Sequence, residues 1–170
     1  MPQSKRVGSL EIGQDLDFQR KEWRVQRIGW GVMALIALAA LVGLTGNGVL
    51  ARATAGDPAD PLRLEYARFD RMESPSTLEV QIAGDAVDGE QIELWVDRDY
   101  IQGVLIEKIV PEPQEVRVAA DGLHYVFAVD EPGQPVTVSF DLRHTEFGAK
   151  SGQIALADGP ALDFGQLVYP

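Results

Sequence analysis

Two histidines, His124 and His144, and two groups of carboxylates, Asp85/Asp88/Glu90 and Asp97/Asp99, are the side chains best placed to do chemistry in this sequence. A pair of imidazoles can begin a transition-metal site. Oxygen-rich loops can hold Ca²⁺. Neither feature has the spacing such sites require. No further ligand stands at zinc-site distance from either histidine, and neither acidic loop follows the EF-hand register. Both histidines are therefore expected as polar residues on wet strand faces, and the Asp-rich segments as turns. The chain has no cysteine. That excludes disulfides, thiolate metal centres, covalent haem attachment and thiol nucleophiles. It also has no G-x-S-x-G elbow and no Gly-rich phosphate loop. The expectation is a non-enzyme with no catalytic residue, no metal and no cofactor.

The elements that would position these residues are dominated by one stretch. The 23 residues from Ile28 to Leu50 carry no charge. At about 1.5 Å per residue such a helix crosses a hydrocarbon core of roughly 30 Å. Six basic and four acidic side chains precede it, whereas nine basic and 22 acidic side chains follow it. The acidic part would be repelled by phosphate backbones, which argues against nucleic-acid binding. Arginines outnumber lysines by eleven to four, a composition that suggests a GC-rich bacterial gene. Arg20, Lys21, Arg24 and Arg27 lie just before the apolar run, against Arg52 and Arg63 after it. Basic residues favour the cytoplasmic side. The N-terminus is thus expected inside a bacterial inner membrane, with the acidic domain periplasmic or extracellular.

The segment before the span reads as a helix opening near Asp17. On it Arg20, Arg24 and Arg27 share one stripe, and Gln19, Trp23, Gln26 and Trp30 share another. Two readings stay open. In the first, Arg20, Lys21, Arg24 and Arg27 meet lipid headgroups and the tryptophans sit at the interface. In the second, the Gln/Trp stripe docks on a partner membrane protein, because glutamines add nothing to lipid anchoring. Further along, Ala39, Gly43 and Asn47 recur every four residues, a spacing that lets two helices approach closely. A rival reading makes the whole region a signal peptide, cleaved after Ala53-Thr54-Ala55. The long leading segment and the long apolar run favour a retained anchor.

Residues 1–16 are expected to be a disordered cytoplasmic tail, 17–50 a juxtamembrane and transmembrane helix, and 51–61 a linker rich in Gly, Pro, Asp and Ala. From residue 62 to 170 a period of two recurs, as in Leu62/Leu64/Tyr66, Leu78/Val80/Ile82, Ile92/Leu94/Val96 and Val136/Val138/Phe140/Leu142. Turn residues separate these runs. Eight or nine such strands predict an all-β, antiparallel, immunoglobulin-like sandwich after the single transmembrane helix. Asp121, Leu123, Tyr125 and Phe127 fit a tyrosine corner. They fit better a hairpin with Asp121-Gly122 as a type I′ turn. The strict period places Glu93 and Trp95 opposite Ile92, Leu94 and Val96. Phe164 with Val168 or Leu167 is expected to pack inward. Trp95, Tyr100, Ile101 and Tyr169 are candidate anchors for an outer partner.

The tail D-F-Q-R-K-E-W-R-V-Q-R-I-G-W, the P-E-P at 111–113 and the ending F-G-Q-L-V-Y-P resemble uncharacterised small bacterial single-pass membrane proteins with a C-terminal extracytoplasmic β-sandwich, associated with membrane proteins of the YetF type. That resemblance implies no activity and no site. The outer domain is also similar in plan to cytochrome oxidase assembly factors, whose copper-binding cysteines are absent here. The expected role is a non-enzymatic accessory protein or subunit. It would meet membrane lipid and dock, through its helix and outer domain, on a larger integral membrane protein or a second copy of itself. The alternative is a tethered extracytoplasmic module that binds an ion or a glycan near Asp97, Asp99 and Tyr100.

Overall fold

The computed structural model describes residues 5–7, 10–12, 16–42, 51–157 and 159–170, with side chains for 22–41, 51–157 and 159–170. The chain divides into two units, Met1–Ala40 and Leu41–Pro170.

In the first unit, β1 (Lys5–Val7) pairs antiparallel with β2 (Leu10–Ile12). This short hairpin falls within the tail read as disordered. Helix α1 then runs from Leu16 to Val42. It starts one residue before Asp17, which therefore lies in the first turn rather than at the cap. The stretch long and apolar enough to cross a membrane is Glu22–Leu41. It takes in the basic-aromatic segment and overlaps the expected span of 28–50 as far as Leu41, where the described side chains of α1 end. Residues 43–50, including Gly43 and Asn47, lie outside the described residues.

The second unit is a β-sandwich, as the period of two predicts. Its strands are β3 (Arg52–Ala55), β4 (Leu62–Ala67), β5 (Phe69–Arg71), β6 (Pro75–Ile82), β7 (Gln91–Asp97), β8 (Val104–Val110), β9 (Glu115–Val118), β10 (Gly122–Ala128), β11 (Val136–His144), β12 (Gly148–Leu156) and β13 (Leu162–Tyr169). A five-residue helix, α2 (Arg98–Gln102), follows β7. One sheet has the order β5-β13-β12-β7-β10-β9, and the other β3-β4-β6-β11-β8. Alternate side chains of both sheets meet in one core, with Leu64, Val80, Leu94, Phe127, Val138 and Ile154 wholly buried. Each such side chain contributes roughly 1.5 to 3 kcal/mol by leaving water.

Four expectations change. The segment read as a linker contains β3, which pairs with β4 and buries Ala51 and Ala53. Alanine is small enough to lie flat beneath an edge strand, so a composition poor in large apolar residues still packs. The sheets are not wholly antiparallel, since β5 runs parallel to β13. The D-R-D-Y-I-Q-G segment, read as a loop, holds α2, with Asp99 in its first turn and Gly103 ending it. Asp121-Gly122 does not form a type I′ turn. Val118 pairs with Leu123 and the Ala119 N–H donates to the Gly122 carbonyl, so the hairpin tip lies one residue earlier. Glu73 is the one described non-glycine residue with positive φ, whereas type I′ needs positive φ at both central positions.

Candidate functional site

The residues that gather polar chemistry inside the sandwich are Asp70, His144, Tyr100 and Gln166. The short strand β5 brings Asp70, and the end of β11 brings His144. Helix α2 brings Tyr100, and β13 brings Gln166. All are buried, with Asp70 7% exposed, His144 0%, Tyr100 4% and Gln166 5%. His144 Nε2 stands 3.4 Å from Asp70 Oδ2. Asp70 Oδ1 accepts the Arg71 N–H at 2.8 Å. The Tyr100 hydroxyl donates to Gln166 Oε1 at 3.0 Å, and Gln166 Nε2 donates to the Ala67 carbonyl at 2.9 Å. The Tyr100 ring packs edge-on against Phe164, with centroids 4.8 Å apart, and edge-on to His144 at 6.3 Å. The close approach that allows this needs Gly152. A Cβ there would stand 2.7 Å from Phe164 Cζ and 2.9 Å from Tyr100 Cβ.

The electrostatics of the cluster follow from burial. Burial pushes the Asp70 carboxyl up, but the His144 ring, the Ser76 hydroxyl and the Arg71 amide outweigh it and hold the carboxyl below its ordinary range. Burial foremost, then the charges of Asp70 and Asp97, push the Tyr100 phenol up, so it stays a neutral donor. Asp70 belongs to the six-stranded sheet and His144 to the five-stranded one. Their pairing therefore fastens the two layers. It is not a nucleophile–base relay, because Ser76 meets the carboxylate rather than the imidazole. Asp70 also borders an open groove of about 580 Å³ edged by Arg52, Glu65, Arg71, Ser76, Thr77 and Tyr169.

Replacing Tyr100 with phenylalanine keeps the ring contacts and removes the donor to Gln166 Oε1. The expected loss is about 1 to 2 kcal/mol of stability, the cost of stranding a buried acceptor. Chemical denaturation of the variant checks it.

This arrangement corrects two expectations. His144 is not on a wet face. It continues the parity of Val138, Phe140 and Leu142, and so points into the core. Tyr100 is not an outward anchor. Asp70 and Gln166 were missed altogether. Gln166 shares parity with the buried Phe164 and Val168, a signal that could have placed it inside. Leu167 points outward, 47% exposed.

His124 does lie on the outer face of the six-stranded sheet. Its Nδ1 is 2.7 Å from Glu93 Oε1, and Arg117 pairs with the same carboxylate. Burial raises the Glu93 carboxyl, but His124 and Arg117 outweigh it and hold it low. Trp95 sits on that face too, opposite His124 across the strand pair, with its indole N–H buried and unpartnered. Asp97 accepts the Gln153 backbone N–H at 3.1 Å, which ties one acidic loop to β12. Among the described residues, no three His, Asp or Glu side chains converge to hold a metal.

On α1, Trp23 is 59% and Trp30 66% exposed, and Gln26 is exposed. The Arg27 guanidinium lies 4.0 Å from the Trp23 ring centroid. The basic and aromatic stripes are therefore joined at that point. Arg24 is exposed and Ala39 half-buried. The side chains of Gln19, Arg20 and Lys21 lie outside the described residues, as do Gly43 and Asn47.

No family model and no curated protein matches the chain. Among solved structures it is similar to a cohesin module from a family 33 glycoside hydrolase of Clostridium perfringens, at 11% identity and a TM-score of 0.44, covering 68% of this chain and 98% of that one. It is also similar to the PmoD soluble domain from a Methylocystis species, at 16% identity and a TM-score of 0.32, covering 69% of this chain and 90% of that one.

Proposed function

We propose that this chain is a non-enzymatic accessory protein anchored in a bacterial cytoplasmic membrane by α1, with its β-sandwich on the outer side, docking on a larger integral membrane protein. The observation that carries the reading is the bareness of the helix. No residue of Glu22–Leu41 is buried, and Trp23, Val25, Ile28, Leu35 and Leu41 are each more than half exposed. An apolar helix with no covered face is unstable in water and needs lipid or protein around it. The basic residues before the span orient the N-terminus inward. Retention of the anchor fits the fold of the second unit. Cleavage after Ala55 would cut away β3, which pairs with β4 through four residues.

The buried polar cluster supports the non-enzymatic part. His144, Tyr100 and Gln166 are buried in the core where the two sheets meet, and Asp70 alone of the four also borders the open groove. A ligand module reading on Asp97, Asp99 and Tyr100 lacks its aromatic wall, because Tyr100 is in the core. The collar of Trp23, Gln26 and Trp30 is the proposed docking face within the membrane, and Arg24 and Arg27 the headgroup contacts. Purification of the full chain in mild detergent tests the reading. A stoichiometric membrane-protein partner is the expected result, with Trp23→Ala/Gln26→Ala lowering its recovery several-fold. A partner recovered equally with the double variant would move the docking face elsewhere, and no partner at all would overturn the accessory role.

A further inference from the structure

Strand β9 ends the six-stranded sheet, and among the described residues nothing pairs with its outer edge. Its four residues, Glu115, Val116, Arg117 and Val118, are all exposed. Val118 is 83% exposed and Val116 46%. Most edge strands are blunted by bulges, inward-pointing charges or covering loops, because a bare edge is a template for another strand. Here the two side chains that share a face with the core residues Leu123 and Tyr125 are valines. The opposite sheet covers neither of them fully.

The backbone of β9 is also set for pairing. The Ala119 N–H donates to the Gly122 carbonyl at 2.9 Å. Hydrogen-bonded and non-hydrogen-bonded positions alternate along an antiparallel ladder. The N–H and C=O groups of Val118 and Val116 therefore point away from β10, toward the open edge. The order of charges selects the occupant. The segment Glu115-Val116-Arg117 is its own electrostatic complement when run antiparallel. With Val116 opposite Val116 of a second copy, each Glu115 faces the other copy's Arg117. Val116 then falls at a hydrogen-bonded position, as its outward backbone requires. The register centred on Arg117 would set two guanidinium groups against each other.

We infer that β9 is a self-association edge, at which a second copy of this chain pairs antiparallel through a two-fold axis at Val116 and makes the two six-stranded sheets continuous. The interface is isologous and closes at two copies, since the two-fold pairing uses the β9 edge of both chains. It does not depend on the anchor. It would place two sandwiches side by side whether or not α1 lies in lipid. Each strand pairing is short, so the contact is weak in dilute solution and is favoured where copies are concentrated, as two chains confined to one membrane are.

The absence of cysteine makes the register directly measurable in the full chain in detergent. Val116→Cys and Val118→Cys are compared under mild oxidation. In the proposed register, two Val116 positions face each other across the axis, about 5.5 Å apart at Cα, within disulfide reach. Two Val118 positions are each offset by four residues, roughly 14 Å at about 3.4 Å per residue, and beyond it. V116C should therefore form covalent dimers at least ten-fold faster than V118C, although Val118 is the more exposed. Adding Glu115→Arg to V116C sets like charges across the axis and should slow the linking several-fold. Equal rates for the two cysteines, no dimer from V116C, a product linked to a different protein, or indifference to Glu115→Arg would each overturn the inference. Both cysteines are on an exposed edge strand, so neither variant is expected to disturb the fold.

Discussion

Replacing Asp70 with alanine is expected to cost about 3 to 5 kcal/mol of folding stability, a large share of the roughly 5 to 15 kcal/mol that holds a typical domain together. The argument rests on what is left behind. His144 is wholly buried, and the Asp70 carboxylate 3.4 Å from its Nε2 would be gone. The pair joins β5 in one sheet to β11 in the other, so its loss also loosens the two layers at that edge. Chemical denaturation at neutral pH reads the effect. His144→Ala should be comparably damaging, because it strands the Asp70 carboxylate. A change below about 1 kcal/mol in either variant would show that the two groups do not support each other. The pH dependence has a definite sign. The Asp70 carboxyl titrates below its ordinary value of 3.8 in the fold. Its contribution is therefore complete above that value and is lost as pH falls through the lower, folded one. Asp70→Asn should flatten the acid limb of a stability–pH curve below about pH 4, relative to the native chain. Part of the limb should survive, because Glu93 is also held low by His124 and Arg117.

The second large effect belongs to the span. Replacing Leu35 and Leu38 together with aspartate should abolish stable membrane association. A carboxylate near the centre of a spanning helix costs about 3 kcal/mol on an insertion scale, and the lost leucines add to it. Two such changes shift the partition by several powers of ten. Both leucines are exposed in α1, at 69% and 59%. They belong to the first unit and not to the β-sandwich, which should fold as before. Sedimentation with membranes separates the outcomes: the variant in the soluble fraction supports a spanning role for α1, and an unchanged membrane fraction contradicts it.

The period of two made most of the sandwich legible, because strands with one buried face write their burial into alternate residues. Leu62/Leu64/Tyr66 and Ile92/Leu94/Val96 are inside as that pattern requires. Where the pattern carries polar residues it also holds. His144 and Gln166 keep the parity of their apolar neighbours, but residue type suggested water and prevailed over position. Other elements left no local trace. Strand β5 has three residues and a charged centre, and its parallel partner lies about a hundred positions away in the chain. Its role depends on pairing across that distance, which no window around Asp70 contains. Strand β3 was hidden by its composition, since alanines and threonine beside Gly and Pro read as tether. The apolar run was visible at once. The helix runs back through Arg27 and Trp23 to Leu16, one residue before the start expected at Asp17, because the charged and aromatic residues there continue it without a break.

The claim at the centre of this account is that the chain is held in the membrane by a retained α1. Alkaline washing of membranes from cells making the full chain, followed by the intact mass of whatever remains bound, tests it most directly. The account predicts that the protein stays in the washed membrane with its N-terminal helix intact. A protein released to the wash, or a mature chain beginning at Gly56, would contradict it.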